Sequence, residues 1–207
     1  PIADCCKAAP AVLEFDGDGK LLRSWGGPSD PGFIGGKCKA EAGCIWPSSE
    51  HGIFVDSKDN VWIAGNSRVP GRADLPWATN KEGGDGFVLK FDMNGNFKMR
   101  VGGTPTKPDS NDKQGGINGT PVLFQATDFA EDVAAGRMYI SDGYGNRHVL
   151  IIDANTGSTI SAGRVFGRQL ARIVSGCVCY LGYLWMLWDG RKQTWHDKIV
   201  GTVVVKA

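Results

Sequence analysis

With 207 residues, 42% of them apolar, the chain is long enough to bury one sizeable hydrophobic core. Its 23 Lys and Arg almost balance its 22 Asp and Glu, so no strong electrostatic field attracts nucleic acid or an anionic membrane, and neither partner is expected. Thirty glycines and ten prolines favour many short strands joined by tight turns over long helices.

The first predicted element is a hairpin that begins at Val12, with the sequence VLEFDGDGKLLRSWGG. A short apolar strand leads through an Asp- and Gly-rich turn, whose residues tolerate positive φ values, into a second strand. Downstream, Cys38 and Cys44 are close enough in sequence to close a small disulfide loop, which would favour an oxidising compartment. The chain opens at Pro1 without a signal sequence, so we expect the natural amino terminus and any export signal to be missing.

A second kind of hairpin follows, GIFVDSKDNVWIAGN from Gly52, in which a polar turn leads into an aromatic-bearing strand. Residues 67–86 are rich in Gly, Pro and charge, carry Trp77, and are predicted to form a surface loop. The first kind of hairpin recurs as VLKFDMNGNFKMRVGG from Val88. Residues 104–121 are equally polar and predict another surface loop.

Both hairpins occur once more, as ATDFAEDVAAGRMYISDG from Ala126 and VLIIDANTGSTISAG from Val149. From Val12 to Val88 is 76 residues, and the aromatic strands of the second kind recur at nearly the same interval, so the two hairpins belong to one repeating unit. A unit of four antiparallel strands, about 40 to 45 residues long in its compact third copy, is typical of a β-propeller blade. The sequence predicts an all-β fold of about two and a half such blades.

Three motifs carry a family resemblance: an H-G pair before an apolar strand at His51, D-x-x-D-N-x-W from Asp56, and S-D-G-Y-x-N from Ser141. They resemble the NHL repeat, and specifically the catalytic propeller of the peptidyl-hydroxyglycine amidating lyases. This resemblance implies a six-bladed parent propeller, of which residues 1–167 form a part.

The resemblance also implies a site. In the amidating lyases, three histidines from different blades bind zinc in the central channel, and His51 falls on the first of these positions. A structural calcium would be held partly by the backbone carbonyl of Ile53, and Tyr144 would take part in proton removal. The sequence departs from the family at Gly145, which replaces a disulfide-bonded cysteine, and at Glu50, which replaces a proline. The other two zinc ligands would lie in blades outside this chain.

The resemblance implies a secreted or periplasmic parent that cleaves a peptidyl hydroxyglycine into an amide and glyoxylate, with a small-molecule or peptide substrate. Because two of the three zinc ligands are missing, we expect this fragment itself to be inactive. The alternative is a non-catalytic propeller that binds a protein or glycan through its loops and channel mouth. Asp142, Asn146 and Arg147 orient Tyr144 or contact the substrate in the first case, and in the second they satisfy backbone groups of the turn.

The pattern breaks after residue 167, and residues 168–207 predict a tail of uncertain structure, truncated or out of frame. This tail contains sixteen uncharged residues, Ile173 to Trp188. A membrane span takes about 20 residues, and the glycines and tyrosines of this run suit buried strands equally well. Residues 199–205 are strand-like.

Overall fold

A computed structural model describes residues 8–67, 84–104, 116–159 and 184–190, together with six single residues: Gly167, Leu170, Ala171, Ile173, Thr194 and Lys198. The predicted surface loops after Ser67 and Thr104, including Trp77, and the strand predicted at 199–205 fall largely or wholly outside these residues. The chain divides into two compact units, one of residues 1–131 with 138–150 and one of residues 132–137 with 151–207.

The described residues form three antiparallel sheets. Their strands are β1 (Val12–Phe15), β2 (Leu21–Trp25), β3 (Glu50–Val55), β4 (Asn60–Gly65), β5 (Gly86–Asp92), β6 (Phe97–Gly103), β7 (Asp128–Asp132), β8 (Arg137–Asp142) and β9 (His148–Asp153). The sheet orders are β1-β2, β3-β4-β5-β6 and β7-β8-β9, so every strand pairs with its sequence neighbour. Short 3-10 turns lie at Ala40–Ala42, Ile117–Gly119 and Trp185–Leu187.

One turn geometry closes three of the hairpins. In each, an Asp at the end of the first strand accepts hydrogen bonds from the backbone N–H groups two and four residues later, at 2.9 to 3.0 Å. The three residues are Asp16, Asp56 and Asp92. Aspartate suits this position because its short carboxylate satisfies turn N–H groups that have no partner in the sheet.

The main core of the first unit lies between the β1-β2 and β3-β6 sheets and is rich in aromatic rings. Phe91 of β5 packs against Trp25 of β2 at 5.2 Å between ring centroids, and against Trp46 and Phe33 at 5.8 and 6.0 Å. These rings are at most 4% exposed. Burying an aromatic side chain stabilises a fold by about 2–3 kcal/mol, so this cluster is a major source of stability.

The loop before β3 carries a disulfide between Cys38 and Cys44, the pairing that their close spacing in the sequence suggested. Both cysteines are buried within the same core. The cross-link therefore ties a glycine-rich loop onto the aromatic cluster.

The all-β class with antiparallel sheets is confirmed, and one sheet has the predicted four strands in sequence order. No closed barrel or propeller is formed by the described residues, so the number of blades and their radial arrangement stay predictions. Beyond residue 159, the backbone is helical at several isolated described positions, among them Gly167, Leu170 and Ala171.

Candidate functional site

The structure brings together two of the residues that the sequence singled out. His51 lies on β3 and Tyr144 lies in the turn between β8 and β9, and their ring centroids are 6.0 Å apart at 80°, an edge-to-face contact. Both side chains are exposed, Tyr144 by 61%. An aromatic edge and an imidazole are therefore presented side by side to solvent.

A backbone contact favours one tautomer of His51. Its Nδ1 lies 3.2 Å from the carbonyl oxygen of Thr127. Because a carbonyl oxygen can only accept, Nδ1 carries the proton and donates, and in the neutral ring Nε2 keeps its lone pair. This nitrogen is the group of the pair that can accept a proton or bind an electrophile.

The turn that carries Tyr144 is anchored by Asp142, a fully buried carboxylate at the end of β8. The carboxylate accepts hydrogen bonds from the backbone N–H of Phe124 at 2.9 Å and from the side-chain amide of Asn146 at 2.7 Å. His148 Nε2 lies 3.7 Å from its Oδ2. Burial raises the pKa of Asp142, and the contacts with Phe124, Asn146 and His148 oppose that rise.

Sequence reasoning missed this Asp142–His148 pair: it offered Asp142 and Asn146 roles in orienting Tyr144, in contacting substrate or in satisfying turn backbone groups, and none for His148. Two further features mark the turn: Arg147 has a φ of 58°, and the buried Oδ1 of Asn146 has no hydrogen-bond partner among the described residues. A non-glycine residue with positive φ carries strain of about 1 kcal/mol or more. The spacing D-x-x-x-N-x-H from Asp142 is the only signal that could have indicated the pair.

The described residues do not fit a zinc site at His51. Zinc in proteins takes three or four side-chain ligands, mainly Cys, His and carboxylates. Among the described residues, no group of three or more His, Cys, Asp and Glu side chains is placed to hold a metal ion. Ile53, the residue implied for calcium, lies opposite Ile63 in the β3–β4 ladder with a side chain that is 56% exposed. We assign no step to either metal.

A second exposed surface lies in the carboxy-terminal unit. Leu184, Trp185, Leu187 and Trp188 are 44%, 44%, 59% and 75% exposed. Lys198 forms an ion pair with Asp189 and places its ammonium group 5.7 Å from the ring centroid of Trp185. In the part of the chain that is described, no helix is both long and apolar enough to cross a membrane.

Comparisons with known proteins find similarity in the region that contains this second surface. Residues 148–201 match the model of the RDD family. Over 55 residues the chain is 40% identical to the proline-rich antigen homolog of Mycobacterium tuberculosis (strain ATCC 25618 / H37Rv). This matched stretch is 27% of this chain and 23% of that protein. Over 53 residues it is 43% identical to the proline-rich antigen of Mycobacterium leprae (strain TN), covering 26% and 21%. The chain thus spans less than a quarter of the length of these curated relatives.

These findings correct the family assignment. The resemblance to NHL repeats and amidating lyases is wrong, because the matches found are to the RDD family over residues 148–201 and to proline-rich antigens over 53 to 55 residues. The two functions that rested on this resemblance, the zinc-dependent lyase and the non-catalytic propeller that binds a protein or glycan, are therefore wrong as well. The matched region begins at His148, inside the third copy of the repeat, and includes most of the segment interpreted as a tail. The misleading motifs have a physical origin: D-x-x-D-N-x-W and S-D-G-Y-x-N build the turns at Asp56 and Asp142, which any hairpin of this kind requires.

Proposed function

We propose that residues 148–201 attach this chain to a lipid membrane. The observation that carries the proposal is the cluster of exposed Trp and Leu side chains at 184–188 within the RDD-like segment. Exposed aromatic and aliphatic side chains in contiguous sequence mark an interaction surface, and tryptophan favours the boundary between lipid and water.

The surrounding sequence supports a lipid partner. The exposed residues end a run of sixteen uncharged residues, and basic residues flank it at Arg168 and Arg172 on one side and Arg191 and Lys192 on the other. Basic side chains at the ends of an apolar segment can reach lipid phosphates while their stems remain in the apolar layer. The net charge of +1, from which no membrane partner was expected, bears only on electrostatic attraction and not on apolar burial.

Vesicle flotation tests this proposal. The full chain is expected to float with phosphatidylcholine vesicles, and the double variant Trp185→Ser/Trp188→Ser is expected to reduce the floated fraction at least tenfold. Val133→Ser is the matched control, because Val133 is also exposed, by 64%, but lies outside residues 148–201. A wild-type chain that stays at the bottom of the gradient, or a double variant that floats as well as wild type, would contradict membrane attachment.

The Cys38–Cys44 disulfide supports a location in an oxidising compartment, such as the periplasm or the cell exterior, for the sheet-forming part of the chain. We therefore propose attachment to a membrane that faces such a compartment. The predicted arrangement of the sheets as successive blades also remains a proposal; it is supported by the consecutive strand order of the β3-β6 sheet.

We also propose that His51 and Tyr144 contact a small-molecule or peptide ligand, without a metal. The support is their edge-to-face contact and the free lone pair on His51 Nε2. A fragment screen by saturation-transfer NMR on the full chain tests this idea, with His51→Ala and Tyr144→Ala as variants and the exposed Val149→Ala as control. Hits that survive both site variants would show that ligands bind elsewhere.

A further inference from the structure

The exposed Trp and Leu side chains at 184–188 are followed directly by an acidic residue, Asp189. It is the first charged residue after the uncharged run at 173–188. From Asp189 to Lys198 the sequence has three basic and two acidic residues. Lipid surfaces are neutral or negatively charged, so a carboxylate at the edge of a lipid-binding segment opposes the attraction that the basic residues provide.

The backbone places Asp189 close to Trp185. The N–H groups of Trp188 and Asp189 both donate hydrogen bonds to the carbonyl oxygen of Trp185, at 3.1 and 3.2 Å. Residues four apart in such a turn lie on the same side of it. The carboxylate of Asp189 therefore shares a side of the turn with the indole ring of Trp185.

Lys198 contacts both of these side chains. Its ammonium group forms an ion pair with the carboxylate of Asp189 and lies 5.7 Å from the ring centroid of Trp185. The side chain of Asp189 is only 10% exposed, whereas that of Lys198 is 43% exposed. The ammonium group is thus held at the border of the apolar surface by a carboxylate that is largely shielded from water.

We propose that Asp189 sets the headgroup preference of this lipid-binding surface by withholding the ammonium group of Lys198 from lipid phosphates. The inference rests on the membrane attachment proposed above. A lysine beside a tryptophan at the boundary between lipid and water is well placed to bind an anionic headgroup. While Lys198 is paired with Asp189, the pair is neutral and adds nothing to the attraction for negatively charged lipid.

The burial of Asp189 explains why a lipid phosphate does not displace it. Removing one partner of a largely buried ion pair leaves the other charge uncompensated, which costs much more than breaking an exposed pair. A phosphate that captured Lys198 would leave the carboxylate of Asp189 in this state. The ion pair is therefore expected to persist when the surface is bound to lipid.

Vesicle flotation with two lipid compositions tests the proposal. The full chain is mixed with vesicles of pure phosphatidylcholine or of phosphatidylcholine and phosphatidylglycerol in equal amounts, and the ratio of the two partition coefficients gives the preference for anionic lipid. Asp189→Asn should raise this ratio about fivefold over that of wild type, the attraction expected of one additional lysine at an anionic surface. Binding to pure phosphatidylcholine should change less than twofold.

Three control variants separate the ion pair from other effects of the substitution. Asp189→Glu keeps a carboxylate for Lys198, and Asp189→Asn/Lys198→Gln removes both charges, so both should retain the wild-type ratio. Asp18→Asn removes one negative charge at an exposed turn position outside residues 148–201 and should also leave the ratio unchanged. Near-UV circular dichroism of each variant checks that the fold is retained.

A measurement on the wild-type chain needs no substitution at Asp189. Lysine acetylation, located by mass spectrometry, is compared between the two kinds of vesicle. Lys192, one of the flanking basic residues, should be more strongly protected by phosphatidylglycerol, whereas the protection of Lys198 should differ less than twofold.

The outcomes distinguish this inference from the membrane attachment on which it rests. If wild type does not float with phosphatidylcholine, attachment itself is wrong. If wild type floats, an unchanged ratio in Asp189→Asn, an equal rise in Asp18→Asn, or a rise that persists in the double variant would overturn the role of Asp189 alone. Strong protection of Lys198 by phosphatidylglycerol in wild type would overturn it as well, because the ammonium group would then reach the headgroups despite Asp189.

Discussion

Asp56 is a buried carboxylate with several hydrogen-bond donors around it. It is 4% exposed and accepts hydrogen bonds from the indole of Trp62 and from Asn60, beside the ammonium group of Lys90. Burial alone raises the pKa of Asp56, but the hydrogen bonds from Trp62, Asn60 and the backbone of Lys58 outweigh it and lower the pKa from 3.8 to about 2. The native state therefore favours the ionised form.

Because the pKa of Asp56 is lower in the folded chain than in the unfolded chain, its contribution to stability is complete above pH 4 and is lost as the pH falls through 2. The shift corresponds to about 2 kcal/mol of unfolding free energy. Urea denaturation of wild type between pH 6 and pH 2 should show this loss, and Asp56→Asn should flatten that part of the profile. An unchanged slope in the variant would contradict the assignment.

Asn146 supports the buried carboxylate of Asp142, and its removal should destabilise the turn. Asn146→Ala deletes the 2.7 Å hydrogen bond to Asp142 and leaves a buried charge with one partner fewer, which costs about 1–3 kcal/mol. Urea denaturation at pH 7 measures the loss. Asn94→Ala, at an exposed turn position, should cost less than about 0.5 kcal/mol; equal losses in both variants would count against the role of Asn146.

Residue-level reasoning from sequence selected His51 and Tyr144, and the structure places them in contact. The same reasoning missed the Asp142–His148 pair, because five residues of turn separate them and only the turn conformation decides whether their side chains meet. Local spacing predicts which residues enter a turn; it does not predict how a turn with a positive φ at Arg147 directs them.

At the level of the hairpins, glycine geometry sets a strict requirement. Gly102 has a φ of 101°, and a Cβ atom at this place would lie 2.1 Å from the carbonyl oxygen of Gly86. Gly102→Ala should therefore lower the unfolding free energy by about 2 kcal/mol or more. Gly17→Ala is the matched control, since nothing lies within 4 Å of the added methyl group and its φ is not positive. Similar denaturation midpoints for the two variants would contradict this steric account.

The disulfide loop should contribute to stability in proportion to the chain entropy that it removes. Closing a loop this short is worth about 2 kcal/mol, and the removal of both sulfurs by Cys38→Ala/Cys44→Ala should lower the melting temperature by several degrees. Differential scanning calorimetry with and without reductant measures the effect. Reductant should then leave the melting temperature of the variant unchanged. If the variant melts at the same temperature as the oxidised wild type, the disulfide does not stabilise the fold.

The hairpins were predictable from sequence because each combines apolar strands with an Asp-based turn, and all of Val12, Val88 and Val149 begin or lie in strands as expected. The irregularities in strand pairing near Glu14 and Lys90 were not, because they depend on how the two strands twist against each other. The exposure of Leu13 and Phe15 on β1 could not be predicted either, because the order of apolar and charged residues in β1 is the same as in the buried strand β5.

At the scale of the whole molecule, three short motifs at His51, Asp56 and Ser141 indicated a family that the comparisons contradict. The family match instead covers 148–201, where the repeat is weakest. Turn chemistry is shared by many unrelated sheet proteins, so it predicts local structure well and family poorly. The uncharged run at 173–188, which the sequence left open between a short membrane span and buried strands, lies within the matched region.

Membrane attachment by apolar burial has a signature that distinguishes it from charge attraction. With a net charge of +1, the chain should remain on phosphatidylcholine vesicles when the salt concentration rises from 0.1 to 1 M, because screening does not weaken the hydrophobic effect. Flotation at both concentrations measures this. Release at high salt would indicate an electrostatic contact through the flanking basic residues.

Strands β1 and β5 begin with nearly the same sequence, VLEF and VLKF, and both pair irregularly just before the phenylalanine. This likeness creates a choice during folding. The hairpin β3-β4 can pair with the free edge of β5, as in the native sheet, or with the free edge of β1. In the sequence, 20 residues separate β4 from β5 and 44 separate β4 from β1. This twofold difference in the length of the connecting segment favours the native pairing of β4 with β5 by only about 0.6 kcal/mol. We expect the charges at the two edges to make the difference: Lys90 forms an ion pair with Asp56, whereas the corresponding residue of β1 is the carboxylate Glu14, paired with Arg23. Exchanging the two charges in Glu14→Lys/Lys90→Glu should produce a slow refolding phase in stopped-flow experiments, as chains leave the wrong edge; single-phase refolding would show that selection comes from elsewhere.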